Sequence, residues 1–347
     1  MKRLLCAACA LLILLVPGCS NGGAGEGNRY EGWSGAEEGE YIGVYLNLSL
    51  QDKDKNKVDF YQNFSYANSS LEWYLNIFNS SAITNSQKPA RRVPANYTVF
   101  LLNDGIPVPF RTEENGEEVM CFQGKLSKPE EEGSRAELHI LVDPIAVSME
   151  EDTPLSFVVH LSADIPHEER KLMDTANIIW PINLRAETAE AVRVPQPETV
   201  IAKDFPAEKV EGSEGGINLL TKRSESFFPI RDNQKIPQEQ NIYIEAETNI
   251  KDDPFWVLAL VDGKLVNGFE GKYMAEAVSH GTREEGGCGQ AFLLDQEVIP
   301  REPGDHRVTI FVVCEAARWM EKHSDSGPGK DKYVINFGMD FLYQVQS

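Results

Sequence analysis

The glycine-rich run Gly286-Gly287-Cys288-Gly289-Gln290 is the place in the chain where a thiol could act as a nucleophile. A catalytic cysteine needs a base within hydrogen-bond reach, and the nearest histidines along the chain are His280 and His306. Glycines beside a cysteine also shape loops at sheet edges or bring a disulfide into reach. The motif alone does not define a catalytic site, and we predict no catalytic residue.

The other residue types that carry chemistry lack the spacing of known sites. None of the six histidines forms a His-x-His or His-Glu-x-x-His pattern, and the chain has no Gly-x-Ser-x-Gly elbow. Asp52-x-Asp54-x-Asn56 matches the first ligands of a calcium loop. However, Lys57 stands where that loop needs glycine, and Asn63 stands where it needs a bidentate glutamate. We therefore predict that the protein is not an enzyme and has no metal site and no cofactor.

Cys19 lies at the end of an export signal. Met1-Lys2-Arg3 is a short basic segment, and Leu4–Val16 is an apolar stretch shorter than a membrane-spanning helix. The next residues, Pro17-Gly18-Cys19, resemble the lipobox of bacterial lipoproteins, although Pro17 departs from the usual residue at its position. The resemblance implies that residues 1–18 are a signal peptide and that Cys19 carries fatty acids such as palmitate. The alternative is an ordinary secretory signal or an N-terminal membrane helix.

Residues 19–39 have the composition of a flexible tether. Ser20–Asn28 is rich in glycine and polar residues, which is typical of a coil-like spacer. Two acyl chains anchor a protein stably where one would not. We expect the folded part of the chain to lie outside the cytoplasm, anchored to a bacterial membrane through the lipid on Cys19.

The formal net charge of −21 restricts the partners of the protein. An acidic surface repels nucleic acid, so we predict no nucleic-acid partner. After loss of the signal and lipidation of Cys19, three cysteines remain: Cys121, Cys288 and Cys314. Two interpretations stay open, a Cys288–Cys314 disulfide or three unpaired thiols.

Two distant segments share one layout. The apolar run Tyr97–Leu102 leads into Asn103-Asp104-Gly105, and the apolar run Pro254–Val261 leads into Asp262-Gly263. Asp-Gly between apolar runs predicts a tight β-hairpin. The repetition indicates an internal duplication; the alternative is two unrelated β-domains that use the same hairpin chemistry.

Short strands separated by polar turns, without long amphipathic helices, predict an all-β protein made of antiparallel β-sandwiches. Pro303–Val308 resembles the Pro-Gly turn that leads into a strand in extracellular immunoglobulin-like modules, which implies an immunoglobulin-like fold. A segment rich in proline, glutamate and glycine before residue 216 predicts a linker. The predicted order is a signal peptide (1–18), a tether (19–39), a first β-sandwich module (40–185), a linker (186–215) and a second β-sandwich module (216–347).

The densest aromatic run of the chain lies in residues 58–83. Such residues fill a core in most proteins, whereas an exposed aromatic row would be a platform on which sugars stack.

These observations favour a non-catalytic, membrane-anchored surface lipoprotein that binds an unidentified protein or glycan or serves as a scaffold. A solute-binding lipoprotein of an importer is a second hypothesis, although such receptors have the repeated strand–helix units that this sequence lacks. A lipid-anchored hydrolase is a third, and it would require carboxylates or a nucleophile that come together only in the fold.

Overall fold

The structure is a computed structural model, and it describes residues 40–44, 46–66, 71–85, 88–113, 116–129, 131–143, 153–165, 175–186, 200–203, 205–210, 216–231, 234–246, 254–278, 289–315 and 333–346. The predicted signal peptide, Cys19, the tether, most of the predicted linker and Cys288 lie outside the described residues. Tyr41–Ser347 forms one compact unit.

The described residues form strands, turns and loops, without a helix among them. No described segment is therefore a helix with the length and hydrophobicity needed to cross a bilayer. The strands of the first part of the chain are β1 (Glu40–Gly43), β2 (Leu46–Asp52), β3 (Lys57–Val58), β4 (Asn63–Tyr66), β5 (Leu71–Asn79), β6 (Ala82–Asn85), β7 (Lys88–Arg92), β8 (Ala95–Asn103), β9 (Ile106–Val108), β10 (Phe122–Leu126), β11 (Arg135–Val142), β12 (Thr153–Ala163) and β13 (Thr175–Ala186). The strands of the second part are β14 (Ile201–Ala202), β15 (Glu208–Val210), β16 (Asn218–Arg223), β17 (Ser226–Pro229), β18 (Gln234–Ile236), β19 (Ile242–Ala246), β20 (Pro254–Val261), β21 (Lys264–Leu265), β22 (Met274–Val278), β23 (Gly289–Leu293), β24 (Gly304–Glu315) and β25 (Tyr333–Val345).

Four of the sheets form two pairs. In the N-terminal sheet pair, a sheet of order β10-β8-β12-β13-β4, with β9 beside β8, faces a sheet of order β11-β5-β2-β3. In the C-terminal sheet pair, a sheet of order β14-β22-β20-β24-β25-β18, with β21 beside β20, faces a sheet of order β15-β23-β19-β16-β17. Each pair encloses its own apolar core, which includes Trp73 and Phe157 in the first and Phe255 and Phe292 in the second. The predicted all-β sandwich architecture is confirmed.

The two sheet pairs repeat one strand order. Ten strands of the first pair, β2–β5 and β8–β13, have counterparts in the ten consecutive strands β16–β25, and β13–β4 and β25–β18 are both parallel pairings. In the N-terminal sheet pair, β2, β5 and β11 lie against β8, β12 and β13, as strands A, B and E lie against C, F and G in an immunoglobulin fold. Their counterparts in the C-terminal sheet pair are divided in the same way. The repeat supports the duplication hypothesis, while the domain boundaries stay predictions.

The two Asp-Gly turns have the predicted hairpin geometry. Asp104 and Gly105 have φ values of 51° and 80°, and Asp262 and Gly263 have φ values of 48° and 77°. Positive φ at both central residues is the type I′ turn that a two-residue hairpin favours, because its twist matches the twist of the flanking strands.

Strands β8, β12, β20 and β24 are apolar on both faces. Val99, Leu101, Val257 and Ile310 point into the cores of their own sheet pairs. The alternate residues of the same four strands point outward and pack together in a third apolar cluster that joins the sheet pairs: Phe100, Leu102, Val158, Leu258, Leu260, Phe311 and Val313. The unbroken apolar runs in the sequence are therefore strands buried on both sides.

Replacing Phe311 tests this packing between the sheet pairs. Phe311 is 1% exposed, and its ring meets that of Phe100 edge-on at 5.4 Å. We expect Phe311→Ala to lower the free energy of unfolding by about 3–4 kcal/mol, because a buried phenylalanine leaves a cavity. The matched control Phe228→Ala, at a side chain that is 46% exposed, should change it by about 0.5 kcal/mol or less. Equal losses in urea denaturation of the two variants would contradict the packing.

Candidate functional site

A groove of about 510 Å³ opens where the apolar contact between the sheet pairs gives way to polar side chains. Its floor is the outward face of β8, β10 and β12. Thr98 stands opposite Gln123 on one side and His160 on the other, and His160 stands opposite Asn177 of β13. Two residues along, Lys125, Asn96 and Ser162 form the next row. Because alternate residues of a strand share a face, both rows continue the face that carries Phe100 and Val158.

The tip of the β20–β21 hairpin forms the opposite wall of the groove. The Thr98 hydroxyl donates a hydrogen bond to the Gly263 carbonyl, and Gln123 Nε2 donates one of 3.2 Å to the Asp262 carbonyl. A Cβ atom on Gly263 would lie 2.9 Å from Gln123 Nε2 and 3.2 Å from Thr98 Oγ1. Glycine is therefore required here both by its positive φ and by the close approach of the other sheet pair.

The side chain of Asp262 holds this hairpin against β24. Its Oδ2 accepts a hydrogen bond of 2.8 Å from His306 Nδ1–H, and its Oδ1 accepts one of 2.8 Å from the Arg307 backbone N–H. His306 Nε2 lies 3.0 Å from the Glu302 carbonyl. With acceptors at both ring nitrogens, the protonated imidazolium is favoured, so Asp262 above all raises the pKa of His306 despite its burial.

A second polar contact joins the sheet pairs beside the groove. Asp340 of β25 accepts hydrogen bonds from the Thr175 hydroxyl of β13 and the Thr309 hydroxyl of β24. Further in, the Leu265 backbone N–H donates to Cys121 Sγ at 3.3 Å, and burial raises the pKa of the Cys121 thiol. Side chains of both sheet pairs thus fix the walls of the groove.

His160 is the buried titratable side chain of the floor. It is 2% exposed, and its Nδ1 lies 2.8 Å from Asn177 Oδ1. Because an amide oxygen only accepts, Nδ1 carries the proton and Nε2 carries a lone pair in the neutral ring. Nε2 is buried and has no hydrogen-bond partner among the residues that the structure describes. Buried polar atoms without partners are rare in proteins and need an explanation.

The charged residues of the groove lining balance one another. Lys125 lies 3.6 Å from Asp164, and Asp262 pairs with His306. Asp305 and Arg307 also have interactions of their own. The lining therefore presents two cations and two anions, with no net charge.

The structure places the other sequence candidates away from the groove or outside the described residues. Cys19 and Cys288 lie outside them, so lipidation and the Cys288–Cys314 disulfide stay predictions, while Cys314 is 4% exposed on β24. His139 lies on β11, stacks on Tyr74 at 4.7 Å and pairs with Glu72 at 2.7 Å. Within the described ranges, no group of three His, Cys, Asp or Glu side chains could hold a metal.

The aromatic run and the acidic turn have structural roles. Trp73 is 1% exposed in the first core, and the 51% exposed ring of Phe60 stacks on Trp180 at 4.1 Å. Asp52 Oδ1 accepts hydrogen bonds from the backbone N–H groups of Asp54 and Asn56, which closes the β2–β3 turn. Trp73 is part of the core and Phe64 packs against it, while Phe60 is the exposed ring among the aromatic residues of this run that the structure describes.

The sequence alone does not indicate the groove, because Asp262-Gly263 predicts only a turn. The available signal was the placement of Thr98 and His160 in strands that are otherwise apolar. Such residues in a strand buried on both faces need polar partners from another part of the fold.

Comparisons with known proteins do not assign this chain to a family. No protein-family model matches the chain, and no curated protein matches it. A crystal structure of a DUF4466 family protein from Parabacteroides merdae is similar at 9% identity, over 87% of this chain and 99% of that chain, with a TM-score of 0.17. A likeness this distant does not bear on the function of the groove.

The His306–Asp262 pair predicts a pH dependence of stability. A group whose pKa is raised by folding stabilises the protein below its unfolded pKa of 6.5, and this contribution is lost as the pH rises through the folded pKa. Each unit of pKa difference is worth about 1.4 kcal/mol. We expect urea denaturation to give a lower free energy of unfolding at high pH than at pH 6, with a smaller pH difference in His306→Gln. His139→Gln is the control, and an unchanged pH difference in His306→Gln would refute the assignment.

Proposed function

We propose that this chain is a non-catalytic bacterial lipoprotein, anchored through Cys19 outside the cytoplasm, that binds a small polar ligand in the groove between its sheet pairs. The lipobox-like sequence and the glycine-rich tether support the anchor. The groove supports the binding role.

The single observation that carries the binding role is the buried Nε2 of His160, which has no hydrogen-bond partner among the described residues although His160 is one of the residues that line the groove. A ligand donor would complete the hydrogen bonding of a nitrogen that is otherwise costly to bury. The volume of about 510 Å³ lies in the usual range of small-molecule sites, about 300–1,000 Å³. The walls come from both sheet pairs, and ligand sites are frequent at such junctions.

The Cys19→Ala variant tests the anchor. Lipidation needs the cysteine thiol, so metabolic labelling with a radioactive fatty acid should label the native chain and not the variant. The variant should also lose its membrane association in cell fractionation, because no acyl chains hold it. Cys6→Ala, which alters a residue within the predicted signal peptide, is the control. Normal labelling of Cys19→Ala would overturn the anchor.

Filling the groove tests the binding role. Ser162 is half-buried on the groove floor, so Ser162→Tyr should occupy the space that a ligand needs without adding a charge. We expect compounds that raise the melting temperature of the native chain, in a screen of sugars, amino acids, short peptides, nucleosides and inorganic anions, to bind at least tenfold more weakly to Ser162→Tyr. Ser226→Tyr, at an exposed site on β17, should bind as the native chain does. A screen in which no compound depends on Ser162 would refute a ligand site in the groove.

A further inference from the structure

We propose that the ligand of this groove is a neutral carbohydrate, one of whose hydroxyl groups donates a hydrogen bond to Nε2 of His160. This inference rests on the proposed function and assigns its ligand class. Three observations support it: the hydrogen bond between His160 and Asn177, the balanced charges of the lining and the side chains of the adjacent row.

His160 can accept a hydrogen bond at Nε2. Asn177 Oδ1 accepts the Nδ1 proton, so the neutral ring presents an acceptor at Nε2. The partner must therefore be a donor, such as a hydroxyl or an N–H group. A carboxylate or a sulfate has no proton to donate at neutral pH and would not complete this site. Inorganic phosphate keeps a proton at neutral pH, so its charge is the property that counts against it.

The charge of the groove lining favours a neutral ligand. A charged ligand needs an opposite charge in the site to compensate for its loss of water. Lys125 and Arg307 are balanced by Asp262 and Asp305 in the lining, and Asp262 pairs with His306. A neutral ligand fits a lining whose charges cancel.

The side chains in the row next to His160 can both donate and accept hydrogen bonds. Asn96 and Ser162 stand opposite each other on β8 and β12, two residues from the Thr98–His160 pair, and both line the groove. An amide and a hydroxyl each donate and accept hydrogen bonds. A carbohydrate offers several hydroxyl groups that also do both, at spacings of a few ångströms along one ring. Among neutral ligands it is the class that such a floor complements at several points at once.

The test uses the full chain in a detergent without a sugar headgroup. Glucose, N-acetylglucosamine, maltose and cellobiose are the probes, and glutamate, inorganic phosphate and triglycine are the comparison ligands. Isothermal titration calorimetry measures affinity. In parallel, nitrogen NMR of the chain labelled at histidine reports the Nε2 resonance of His160, which shifts when a hydrogen bond to the lone pair forms and requires no variant.

We expect at least one of the neutral sugars to bind and to shift the Nε2 resonance of His160. His160→Gln should weaken that sugar at least tenfold, as expected for the loss of a buried hydrogen bond. His139→Gln, a histidine on β11 of the same sheet pair, should leave the affinity unchanged.

Three outcomes would overturn the inference. The first is sugar binding that leaves the Nε2 resonance in place or survives His160→Gln. The second is binding of triglycine, glutamate or phosphate in a manner that depends on Ser162 while all four sugars fail. That result would leave the groove as a ligand site and remove the carbohydrate assignment. The third is that no sugar binds; if the wider screen also yields no compound that depends on Ser162, the proposed function fails as well.

Discussion

Apolar packing between two sheets that would otherwise face solvent is the contact on which the rest of the structure depends. A β-sandwich normally buries one face of each sheet and exposes the other. Here the outer faces of β8 and β12 meet those of β20 and β24 through Phe100, Val158, Leu258 and Phe311. This contact sets the positions of the hairpin tip and of every polar group around the groove.

The groove exists because this contact is incomplete. Along β8 the outward residues change from Leu102 and Phe100 to Thr98 and Asn96, and along β24 they change from Val313 and Phe311 to Thr309 and Arg307. Apolar surface excludes water at one end, and hydrogen bonds across the junction maintain the separation at the other. The result is a polar cleft next to a packed apolar contact.

Local features of the fold could be predicted from sequence, and long-range ones could not. The Asp104-Gly105 and Asp262-Gly263 turns are local, since glycine at a positive φ and flanking apolar runs are sufficient to indicate a hairpin. Which set of alternate residues in each apolar run faces the other sheet pair depends on residues more than a hundred positions away. His160 shows the same limit, because its 2% exposure and its contact with Asn177 depend on how the strands pair and not on its neighbours in sequence.

The third apolar cluster and the close approach at Gly263 make each half of the molecule depend on the other. Domains that are joined by a flexible linker alone have few contacts with each other and can fold alone. In this chain an exchange of either half would leave Phe100 and Val158, or Leu258 and Phe311, on an open surface, and it would also require a new fit at the Gly263 tip. The two halves therefore act as one structural unit, and a change at Thr98 affects the hairpin of the other half that it contacts.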